Sequence, residues 1–208
     1  MKAKNAIILM LGTAALIIGL LLLVTLAEGA YISGQGNLGG FTGYFNYDII
    51  NTDEAVITID IENTSSEFGY LTGLAFLFPK DLIVSSFDSS ERKFKQLSYP
   101  INVQPFGKDW GLGSSTFKSW EGGGKPSYGI ATGSSGQFAF NIMGENVGNY
   151  NTESFINSND FVVRFRGFDG GGSDKVSGGS SAQVPEPITL LLLGTGLLTY
   201  LGYRRKIK

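Results

Sequence analysis

Four large rings stand in a stretch rich in glycine and polar residues: Trp110, Phe117, Trp120 and Tyr128, between Gly107 and Gly136. Indole and phenol faces stack on the C–H faces of sugars, and rings carried on loops make a carbohydrate platform. Trp110, Trp120 and Tyr128 are the candidate carbohydrate-binding residues on this reading. The competing reading folds the same rings back to plug the end of a β fold, because large aromatics are mostly buried. Arg164 and Arg166 alternate along one face of a predicted strand. Planar guanidinium groups there would grip acidic sugars, or simply face solvent. Asp169 and Asp174 bracket Gly-Gly-Gly-Ser and offer carboxylate oxygens to calcium, but without the ligand spacing of an EF-hand. Solvated linker charge is the simpler account, and no metal site is assigned.

The chain has neither histidine nor cysteine. That excludes a Ser-His-Asp or Cys-His apparatus, whose base is missing, and any Cys-based zinc site or disulfide framework. Glycoside hydrolysis needs only two carboxyl groups, roughly 5–10 Å apart across a cleft. No Asp or Glu stands out from turn and surface roles, so a non-enzyme without cofactor is expected. Of the 208 residues, the span from Tyr31 to Val184 keeps sixteen acidic and ten basic ones, a charge near −6. An acidic domain lacks the basic face that nucleic-acid binding requires.

Both ends are apolar and basic. Lys2 and Lys4 precede a run from Ala6 to Ala27 broken only by Gly12, Thr13, Gly19 and Thr25. This is the order of a secretory signal, read by the Sec export machinery. Residues 1–30 are therefore assigned to a signal peptide cleaved after Ala27, or retained as an uncleaved anchor. At the other end Pro185-Glu186-Pro187 is followed by an apolar run from Ile188 to Tyr203 and then Arg204-Arg205-Lys206. Sixteen residues rise about 24 Å as a helix, slightly short of the hydrocarbon core, with Tyr200 and Tyr203 at the interface and the basic side chains snorkelling. The positive-inside rule puts both basic ends in the cytoplasm and the domain between them outside.

The triplet, short apolar helix and terminal basic cluster together resemble the PEP-CTERM sorting signal. The resemblance covers residues 184–208. It implies recognition by exosortase, a membrane-embedded cysteine transpeptidase of Gram-negative-type bacteria that secrete polysaccharide. Pro185, Glu186 and Pro187 would be the sorting motif, and Arg204, Arg205 and Lys206 the stop-transfer cluster. The anchorage implied is transient: an inner-membrane helix first, then the cell surface or the extracellular space. Ile57 to Ser65, Leu71 to Phe76 and Gly172 to Lys175 resemble β-rich ectodomains found in such proteins.

The elements that must position these residues read as strands. Ile57, Ile59 and Ile61 alternate with Thr58, Asp60 and Glu62, the period-two pattern of a half-buried strand. Phe138, Phe140 and Ile142 repeat the pattern, as do Phe161, Val163 and Phe165, opposite Val162, Arg164 and Arg166. Leu71 to Phe78 is continuously apolar until Pro79; Ile83–Phe87, Phe94–Tyr99 and Ile101–Phe106 are weaker candidates. No helical period is sustained between the ends. An all-β fold, an antiparallel β-sandwich of Ig-like or jelly-roll type over residues 31–168, is expected. Residues 169–183, rich in Gly and Ser, read as a flexible tether to the membrane. The function expected is a structural or adhesive protein in an extracellular polysaccharide layer. A carbohydrate-binding module and, further off, a carboxylate-dependent hydrolase are the alternatives.

Overall fold

The computed structural model describes residues 29–107, 110–117, 120, 124–157 and 159–180. Eleven strands run in chain order: β1 (Ala30–Gln35), β2 (Gly40–Ile49), β3 (Glu54–Asn63), β4 (Tyr70–Phe76), β5 (Ile83–Ser89), β6 (Gln96–Ser98), β7 (Leu112–Ser115), β8 (Ile130–Ala131), β9 (Ser135–Met143), β10 (Phe161–Arg166) and β11 (Ser173–Ser180). All the pairings are antiparallel, in the order β5-β9-β3-β2-β1-β11-β10-β4-β7-β6, with β8 on the far end of β4. Among the described residues the helical segments are three single turns of 3-10 type.

The all-β antiparallel fold is as expected, but the two sheets of a sandwich are here one sheet curled over. The halves β5-β9-β3-β2-β1 and β11-β10-β4-β7-β6 join where Ile32 faces Ser180 and Ser33 faces Gly179. Curling brings the two apolar faces together, as sheet packing requires. Phe76 of β4 lies edge-on 5.3 Å from Phe45 of β2 and 5.3 Å from Phe140 of β9, while Phe41 of β2 lies 5.5 Å from Phe161 of β10. Ile57, Ile59 and Ile61 of β3, and Phe138, Phe140 and Ile142 of β9, are buried in the same cluster. Their alternation in sequence is thus the alternation of inner and outer faces.

The strand that joins the halves lies in the segment read as a tether. β11 pairs with β10 from Phe161↔Gly178 to Arg166↔Ser173 and with β1 on its other side. Its sequence, SDKVSGGS, carries one apolar residue, so no hydrophobic pattern announces it. A Cβ at Gly178 would lie 2.0 Å from the Ser33 carbonyl oxygen and 2.8 Å from the Phe41 ring. The small residues are there to let three backbones approach. Asp174, the candidate calcium ligand, accepts the Leu38 and Gly39 amides at 3.0 and 3.1 Å through Oδ2 and so closes the β1–β2 turn.

Residues 1–28 of the expected signal segment (1–30), and the expected sorting tail (184–208) with Pro185, Glu186, Pro187, Arg204, Arg205 and Lys206, lie outside the described residues. Among the described residues no helix is long and apolar enough to cross a membrane.

Candidate functional site

Two surfaces are candidates, one on the outside of each half of the sheet. On the β10-β4-β7 half, Ile101, Val103, Trp110 and Trp120 pack over the outer face. Trp120 is 4 % exposed and packs with Ala75, Ile101, Val103 and Val162, with Trp110 half-buried beside them. The glycine at position 73 makes the space: a Cβ there would meet the Trp120 ring at 2.7 Å. Arg164, expected on an open face, is buried beneath this cover and donates from Nη1 to the Trp120 carbonyl. Arg166 places its guanidinium 5.3 Å from the Phe117 ring. Tyr128 is 38 % exposed, with the Lys93 ammonium 4.9 Å above its ring.

The sequence-derived trio is therefore not brought into one exposed platform. Trp120 turns its indole into a small second core, Trp110 supports it, and Tyr128 stands apart under Lys93. The Gly-rich stretch serves as a cover whose rings need glycine neighbours. The candidate strand at Ile101–Phe106 shrinks to a single bridge between Ile101 and Trp110 within that cover. β7, which pairs with β4 and β6, reads Leu-Gly-Ser-Ser, and all four residues are buried.

The outer face of β1-β2-β3-β9 is different, because it is open. Strand register aligns its side chains in transverse rows. Tyr31 faces Tyr44, Tyr44 faces Asp60, and Asp60 faces Gln137; next to them Ser33, Thr42, Glu62 and Ser135 make a second row. Four strands at about 4.8 Å spacing make such a row about 15 Å long. An open trough of about 560 Å³ is lined by both rows except Ser33, with Ser90 also in its lining. Tyr31 and Tyr44 meet edge to face with centroids 5.7 Å apart, and Tyr44 is 41 % exposed. Gln137 donates from Nε2 to Asp60 Oδ1 at 2.8 Å, fixing the carboxylate across the β3–β9 pair. None of the residues lining the trough is basic. The four strands contain Asp48, Glu54, Asp60 and Glu62 and no Lys or Arg.

Sequence reasoning missed this face. Its residues come from four strands spread over more than a hundred positions, and only the register makes them neighbours. The available signal was the polar half of each period-two pattern, which marks a solvent face without saying what it adjoins.

The C-terminal segment adds what the described domain does not hold. Residues 183–206 match the PEP-CTERM protein-sorting motif. No curated protein matches the chain. Behind a β-rich domain the chain thus carries the C-terminal signal of an exported protein sorted by exosortase.

Proposed function

We propose that this protein is a non-enzymatic component of the cell surface or extracellular matrix, with a structural or adhesive role in a polysaccharide layer. The sorting motif at residues 183–206 carries the reading. The N-terminal segment acts as a Sec signal, and the C-terminal helix holds the chain in the inner membrane until exosortase acts at Pro185-Glu186-Pro187. Arg204, Arg205 and Lys206 keep the helix from passing through, as the positive-inside rule requires. Composition is compatible with that reading: without cysteine the domain forms no disulfide and holds together by packing alone.

The test is the intact mass of the surface-exposed protein from its native host, with and without the exosortase gene. The mass in the parent strain should lack residues 204–208 and most of the apolar run. The mass from the exosortase-deficient strain, and that of Glu186→Ala in the parent, should include them. Identical masses in all three would refute the sorting step. An unchanged surface layer after deletion of the protein itself would refute the structural role.

A further inference from the structure

We propose that the open face of β1-β2-β3-β9 binds a segment of an uncharged polysaccharide, with sugar rings on Tyr44 and Tyr31 and sugar hydroxyls on Asp60, Glu62 and Gln137. The proposal rests on the export reading only in that it requires the domain to meet polysaccharide. The binding chemistry stands on the face itself.

Three observations carry it. First, the occupant must offer both apolar and hydrogen-bonding surface. One row of the trough begins with two phenol rings in edge-to-face contact and ends with a carboxylate held by an amide. Aromatic faces accept the C–H side of a pyranose, and carboxylate and amide oxygens accept its equatorial hydroxyls. Second, the occupant must not be acidic. The trough has Asp60 and Glu62 in its lining and no basic residue to offset them, so a polyanion would be repelled. A neutral chain donates hydroxyl protons to those carboxylates, and charge-assisted hydrogen bonds are the stronger kind. Third, the site is long and shallow. A row of about 15 Å crossing four strands suits a run of several rings within a chain rather than one enclosed sugar. In the aromatic cover over the other half of the sheet, Trp120 is 4 % exposed and turns its ring into the packing rather than toward a ligand.

The experiment uses the full-length protein in detergent and the extracellular polysaccharide of the native host, separated by anion exchange into neutral and acidic fractions. Each fraction is cast into native gels and the retardation of the protein measured. Retardation is expected in the neutral fraction, undiminished by salt, because no ion pair is involved. Tyr44→Ala should weaken it about tenfold, as loss of one stacked ring does, and Glu62→Ala should weaken it also. Tyr99→Ala, an exposed ring next to β6 on the opposite half, should leave it unchanged. Thermal melting of each variant keeps a loss of binding distinct from a loss of folding. Absence of retardation in the neutral fraction, retardation in the acidic fraction alone, or binding by Tyr44→Ala equal to that of the parent would overturn the proposal. The sorting reading would survive each of these results, since it is decided by the tail's mass.

Discussion

Asn63 is completely buried at the end of β3, and its side chain makes every hydrogen bond it can reach. Nδ2 donates to the Gly69 carbonyl at 3.3 Å and the Ile130 carbonyl at 2.9 Å, while Oδ1 accepts from the Ser65 amide at 3.2 Å and its hydroxyl at 2.6 Å. One amide thus ties the β3–β4 turn to β8 on the facing half. Removing it strands buried carbonyls and a hydroxyl, so Asn63→Ala should cost roughly 2–4 kcal/mol in chemical denaturation. The effect on glycan binding should be nil if the domain still folds. Tyr47 and Tyr150 belong to the same scale. Burial raises the Tyr47 phenol above its usual pKa, and its hydroxyl donates to the Val147 carbonyl at 2.9 Å. The hydrogen bond from Tyr150 to Asp81 Oδ2, 2.5 Å long, is the main cause of the rise at Tyr150, with burial second. A raised folded pKa means that the neutral phenols' stabilisation is fully present below the unfolded value, about 10, and is lost as pH rises through the folded value. Stability should therefore hold from neutral pH to near that value and fall above it. Tyr47→Phe with Tyr150→Phe should flatten the fall, read as melting temperature against pH.

At the scale of elements, the strands that could be read from the sequence were those that put large apolar side chains on one face. Ile57, Ile59 and Ile61, Phe138 and Phe140, and Phe161, Val163 and Phe165 each occupy the inner face of the strand their alternation predicts. β7 and β11 went unread because their packing depends on the absence of side chains, and glycine and serine carry no periodic signal. The rows of the open face were hidden for a related reason, since register is set by pairing over the whole sheet and leaves no local mark. The difference between a tether and a strand at residues 173–180 is open to a simple measurement. A tether would accept Gly178→Ala without effect. In β11 the new methyl collides with the Ser33 carbonyl and the Phe41 ring, and both belong to the central strands that the substitution must displace. Gly178→Ala should lower the melting temperature markedly, whereas Gly171→Ala, at a position with open space but positive φ, should cost about 1 kcal/mol of backbone strain.

The whole molecule behaves as one folding unit only if its curled halves share a core, and Phe76 is one of the rings through which they share it. Its ring lies against Phe45 and Phe140 from the first half and 6.5 Å from Phe161 in its own. The backbone join between the halves is slight, two residue pairs between β1 and β11, so side-chain packing must carry most of the coupling. Truncating such a ring removes its contacts and leaves a cavity lined from both sides, a loss of about 3–5 kcal/mol. Phe76→Ala should therefore destabilise both halves equally. Amide exchange in β9 and β10 should quicken together, and thermal unfolding should remain a single transition at a lower temperature. If exchange rose in β10 alone, the halves would be separate domains joined at an edge. The open face on β1-β2-β3-β9 would then rest on a unit able to fold without the aromatic cover. Joint loss would instead mean that the rows of the open face are held in register by rings on the opposite half.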